Sequence, residues 1–186
     1  TRLLSSNAAS PLYAASAQLI DGDVSVQDGD SANFDGGQLI VTLANGATAT
    51  ETLAVRSVGN GAGQIGVAGA TVSFGGTAIG TLSGGGAGGS SLVVSLNANA
   101  NATAVRALIE NITYQNTVPP AGTTDRSINF RLSDGDGGTS APVGVVLRIQ
   151  ATVSPQAVAL DDVRPAIDIT ETQAQAGVLV DDAVQL

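Results

Sequence analysis

Apolar residues recur at every second position in short runs along most of this 186-residue chain, and that period restricts it to β structure. Leu39, Val41 and Leu43 fall on one face of a strand, with Gln38, Ile40 and Thr42 on the other. Asn45-Gly46 follows, a dipeptide suited to a two-residue hairpin, and Leu53 and Val55 resume the alternation beyond it. Residues 65–67, 71–74 and 77–82 read as short strands cut by Gly69 and Gly75-Gly76. Residues 92–96 make another. Residues 127–133 would bury Ile128, Phe130 and Leu132 on one face, and Val143, Val145, Leu147 and Ile149 repeat the pattern. The glycine-rich run 84–89 is expected to be a flexible loop.

Period 3.6 appears once. Val105, Leu108, Ile109 and Ile112 lie at helical spacing, with Asn101 or Thr103 as N-cap and Asn111 placed to cap the C-terminus. The spacing predicts one short helix crossing between sheets and feeding a strand at 112–114. Many short strands with turn residues between them indicate an all-β sandwich of the immunoglobulin or cadherin kind. We expect an extension over 1–14, the sandwich over 15–153, and a linker with a strand-bearing C-terminal tail over 154–186. Within that tail, Val178–Leu186 echoes Gln18–Val26: Leu19, Ile20, Val24 and Val26 correspond to Leu179, Val180, Val184 and Leu186, and Asp21 to Asp181. Such an echo would make the tail the opening of a next repeat or a donor strand. Two amphipathic β segments of independent origin would look the same.

Missing residue types limit the chemistry. The chain has no His, Cys, Met, Trp or Lys, so a Ser-His-Asp triad, a cysteine nucleophile, an ordinary zinc or haem site and Schiff-base catalysis are all excluded. No catalytic residue is assigned. A glycosidase-like carboxylate pair would need two carboxyls facing each other across a cleft. The formal net charge of −9 disfavours nucleic acid, whose phosphates require a basic face. No run reaches the ~18 apolar residues of a membrane span, so membrane insertion is not expected.

Two acidic clusters stand out, at 27–37 and 132–140. Both contain Asp-Gly-Asp, at 28–30 and 134–136, a spacing that lets two carboxylates converge from one turn. Calcium takes six to eight oxygen ligands, which such turns can supply. The same residues also make ordinary turns in which Asp caps its own backbone without any metal. Both readings stand at this point.

Three segments resemble the cadherin-like repeats of very large bacterial surface and secreted proteins. They are 28–39 (DGDSANFDGGQL), 105–116 (VRALIENITYQN) and 127–140 (SINFRLSDGDGGTS), and the likeness extends over about residues 17 to 152. The resemblance implies an extracellular or cell-surface module of an adhesin, matrix protein or filament, without enzymatic activity. It implies calcium as cofactor, with Asp28, Asp30, Asp35, Asp134 and Asp136 as ligands. The implied partners are adjacent modules or copies of the same chain, with surface glycans as a further possibility. The longer tail after Val153 departs from the family's usual linker.

A rival reading is a carbohydrate-binding β-sandwich module, which would need an exposed aromatic platform. Tyr13, Phe34, Phe74, Tyr114 and Phe130 are scattered along the chain and are expected to fill the core instead.

Overall fold

The computed structural model describes residues 2–4, 11–12, 16–29, 31–44, 48–88, 90–118 and 124–149. Among them run β1 (Arg2–Leu4), β2 (Pro11–Leu12), β3 (Gln18–Leu19), β4 (Ser25–Gln27), β5 (Gln38–Leu43), β6 (Glu51–Val55) and β7 (Ile65–Ala68). They continue with β8 (Thr71–Phe74), β9 (Thr77–Gly84), β10 (Gly86–Ala87) and β11 (Leu92–Leu96). After helix α1 (Ala102–Glu110) come β12 (Ile112–Asn116), β13 (Thr124–Leu132) and β14 (Val143–Ile149). An eight-stranded sheet has the order β2-β14-β13-β5-β11-β9-β8-β7, and a four-stranded sheet the order β10-β6-β12-β3. Every neighbouring pair is antiparallel except β2 with β14. The short β1 pairs separately with β4. The chain is an all-β sandwich with one short helix.

Register explains why the alternation produces a sandwich. Leu39 lies opposite Leu132 and Val94, Val41 opposite Phe130 and Leu92, and Leu43 opposite Ile128. Equal parity in each strand therefore sends continuous apolar rows to one face of the large sheet. Leu53, Val55, Ile112 and Tyr114 of the smaller sheet join the same core. Each fully buried aliphatic side chain there contributes ~1.5–3 kcal/mol. The outer edge of β7 is blunted by the preceding loop: the Val58 and Gly59 N–H groups donate to the Ile65 carbonyl, and the Val67 N–H to the Ser57 hydroxyl oxygen.

The helix forms where its apolar period places it. Ala104, Val105, Leu108 and Ile109 are buried, and the Asn101 side chain caps the N-terminus by accepting from the Ala104 N–H at 2.9 Å. At the other end, the Asn111 amide donates to the Ala107 carbonyl at 2.9 Å.

Two expectations are corrected. No hairpin joins β5 to β6: β5 pairs with β11 and β13, whereas β6 pairs with β12 and β10, so the chain changes sheets between them. Both edges of β5 are taken by strands whose apolar rows match its own, while β6 finds its match in β12. Asn45 and Gly46 themselves lie outside the described residues. The glycine-rich run is not simply a loop, because Gly86 and Ala87 pair with Leu53 and Thr52 and form the edge of the smaller sheet. The strand-bearing tail over 154–186 and its echo of 18–26 also lie outside the described residues. Within 1–14, β1 and β2 pair with β4 and β14. Among the described residues no helix is long and apolar enough to cross a membrane.

Candidate functional site

The two acidic clusters, about a hundred residues apart in sequence, meet at one end of the sandwich. Leu39 pairs with Leu132, so the turn before β5 and the turn after β13 emerge side by side. In the first turn Phe34 is a buried anchor whose N–H donates to the Ala100 carbonyl at 2.9 Å. The Asp35 N–H donates to Asn33 Oδ1 at 3.1 Å, and the Asp35 side chain is exposed. In the second turn Asp134 is buried, and its Oδ1 accepts from the N–H groups of Asp136 at 3.1 Å and Gly138 at 2.8 Å. The Asp136 carboxylate is exposed and accepts from the Ser31 hydroxyl, which ties the turns together.

The backbones touch closely enough to exclude side chains. A Cβ on Gly37 would sit 2.2 Å from the Ser133 carbonyl oxygen, and one on Gly135 would sit 1.9 Å from that of Asp35.

The five sequence-derived ligand candidates therefore have different fates. Asp35, Asp134 and Asp136 are brought to abutting turns. Asp134 is committed to its own turn as an Asx cap, the metal-free role that composition also allowed. Asp28 is half-buried with its carboxylate oxygens shielded from solvent, and Asp30 lies outside the described residues. Among the described residues, no three carboxylates converge on one point closely enough to bind a metal by themselves. Exposed Asp35 and Asp136, with the Ser31 hydroxyl, leave hard oxygen donors on both turns.

At the opposite end lies a cluster that sequence reading missed. Glu51 is 0% exposed and lies between the sheets. Its Oε1 accepts from the Tyr114 hydroxyl at 2.6 Å and from Arg126 Nε at 2.6 Å, while Oε2 accepts from the Thr48 N–H at 2.7 Å. Burial alone would push the Glu51 carboxyl up, but the Tyr114 and Thr48 hydrogen bonds and the Arg126 charge together hold it below the ordinary range. Burial and the adjacent carboxylate push the Tyr114 phenol well above its usual value. A signal existed: two residues back from Leu53 the inward phase reaches Glu51, and two back from Ile128 it reaches Arg126.

The cluster makes stability pH-dependent at both extremes. Because folding lowers the Glu51 value, its contribution is complete above the unfolded carboxyl value and is lost as the pH falls below about 4.5. Because folding raises the Tyr114 value, its contribution is complete below the unfolded phenol value and is lost as the pH rises above about 10. Urea melts across pH are expected to give a plateau between these limits and a decline on both sides. Stability still rising above pH 10 would contradict the assignment.

The aromatic residues largely behave as expected. Phe34, Tyr114 and Phe130 are buried. Phe74 is only half-buried and lines a cleft, and Tyr13 lies outside the described residues. No protein-family model, curated protein or solved structure matches this chain.

Proposed function

We propose that this chain is a non-enzymatic structural and adhesive module, a repeat or subunit of an extracellular bacterial adhesin, matrix protein or filament. The observation that carries the reading is the abutment of two acidic turns, from opposite ends of the sandwich sequence, at one pole of a rigid β framework. The resemblance of the segments 28–39, 105–116 and 127–140 to bacterial cadherin-like repeats supports it as well. In this proposal calcium binds across the turns at Asp35 and Asp136, with Ser31; the further ligands Asp28 and Asp30 rest on the sequence resemblance alone. The ion offsets carboxylate repulsion and stiffens the pole. Water completes the coordination, so affinity belongs to the weak range of extracellular modules, about 10⁻⁴–10⁻³ M. The C-terminal segment then joins successive units, either covalently in tandem or by adding a strand to a neighbouring copy.

Millimolar calcium is expected to raise the melting temperature of the full chain by about 5 °C over chelator-treated protein, and Asp136→Asn to remove most of that gain. An unchanged melting temperature would sink the calcium step. Assembly is tested separately by electron microscopy of the chain with and without residues 166–186. Fibres or oligomers that persist without those residues would remove the tail from the mechanism.

A further inference from the structure

A cleft of about 440 Å³ carries none of the candidate calcium ligands in its lining. It is bounded by the turn carrying Asn33, the β8–β9 hairpin with Phe74 and Thr77, and the segment leading into α1 with Asn99 and Asn101. Its volume lies within the ~300–1,000 Å³ typical of small-molecule sites. No charged side chain lines it among the described residues.

Local hydrogen bonds orient the amides. Asn33 Oδ1 accepts from the Asp35 N–H at 3.1 Å, and Asn101 Oδ1 accepts from the Ala104 N–H at 2.9 Å, which leaves the NH2 of each side chain as its remaining donor. Asn99 is the reverse: its NH2 donates to the Ala78 carbonyl at 3.0 Å, leaving its oxygen as an acceptor. The Thr77 hydroxyl both donates and accepts. Two donors, one acceptor and one hydroxyl thus share the lining with the half-buried Phe74.

We propose that this cleft binds a neutral saccharide unit. Sugar hydroxyls donate and accept at once, as the amide and hydroxyl lining requires, and the C–H face of a pyranose packs against an aromatic ring. The overall negative potential disfavours uronate, sialylated or sulfated sugars. A cation finds no carboxylate in the lining, and a phosphate finds no positive side chain. The site goes beyond the structural role proposed above and does not depend on calcium.

The test uses the full chain in the presence of a chelator, so that a failure of the calcium proposal does not affect it. Cellotriose, maltotriose and mannotriose are titrated while the side-chain amide signals are followed by NMR. A galacturonate trisaccharide and a neutral Gly-Ser-Gly peptide serve as contrasts. At least one neutral sugar is expected to shift the Asn33 and Asn101 NH2 signals, saturating at a Kd of about 1 mM. The double variant Asn33→Asp/Asn101→Asp keeps both backbone-capping oxygens, since Asp caps as well as Asn, but replaces the two NH2 donors. It should weaken binding at least tenfold with little change in melting temperature. Ala98→Trp, at an exposed position on the rim, should block the cleft. Three results would overturn the proposal: no shift with any neutral sugar at ~20 mM, shifts that survive Ala98→Trp, or stronger binding of the uronate or the peptide.

Discussion

Replacing Arg126 by methionine is expected to lower the unfolding free energy by ~3–5 kcal/mol, because it leaves the Glu51 carboxylate buried without its countercharge. The Met side chain can fill the space of the arginine stem, so the loss reports charge more than volume. Arg126 shares the inward row of Ile128, Phe130 and Leu132, and its side chain is 23% exposed against 0% for Glu51. The carboxylate is therefore out of contact with solvent, while the guanidinium side chain reaches it in part. With the guanidinium gone, one of the effects that hold the Glu51 value down is lost and that value rises, so the variant should lose less stability than the parent as the pH falls below about 4.5. Adding Glu51→Gln to Arg126→Met removes the orphaned charge and keeps one acceptor oxygen for the Thr48 N–H, while the Tyr114 hydroxyl can accept from the new NH2, so it should recover more than half of the loss. Urea denaturation of the three proteins across pH decides the matter. A loss below ~0.5 kcal/mol for Arg126→Met would mean that the pair is not structural.

Gly135→Ala carries the second large effect. Gly135 has φ +96°, where a side chain is strained, and its added Cβ would meet Asp35 O at 1.9 Å and Gly37 N at 2.7 Å. Those are backbone atoms of the opposite turn and cannot swing aside as a flexible side chain would. The turns must separate or the backbone must shift, and either costs ~2–4 kcal/mol in stability. Gly137→Ala is the matched control: φ is +118° there, yet nothing lies within 4 Å of the added Cβ. It carries the conformational strain alone, ~1 kcal/mol. Equal losses in the two variants would show that the contact between the turns is not what holds them. If calcium bridges the same turns, Gly135→Ala should also abolish the calcium-dependent rise in melting temperature, while Gly137→Ala should preserve it.

The two cases show different depths of legibility. Asp-Gly-Asp at 134–136 announced itself by composition, and the structure puts Asp134 and Asp136 in one turn. The sequence could not say which carboxylate that turn would consume. Asp134 is taken by the N–H groups of Asp136 and Gly138, and only Asp136 remains at the surface. Glu51 and Arg126 lie on the expected strand phase, but their charge hides them in rows recognisable only by apolar residues. A charged residue in phase with a core row is worth following, since it must find a partner there if it is buried.

The facing of β5, β13 and β14, the extent of β11 and the place of α1 were legible in the sequence, although it left Asn101 and Thr103 both open as the helix cap and began β13 at 127 rather than Thr124. Side-chain period and capping are properties of adjacent residues, and burial of one face follows from them directly. Which edges meet was decided only in three dimensions. The change of sheet between β5 and β6, against an Asn-Gly signal for a hairpin, depends on apolar rows that match across strands dozens of residues apart. The joining of Ser31 to Asp136 and of Glu51 to Arg126 has the same origin. Such contacts are fixed by the packing of the whole core, to which each residue contributes a little and no short segment contains the answer.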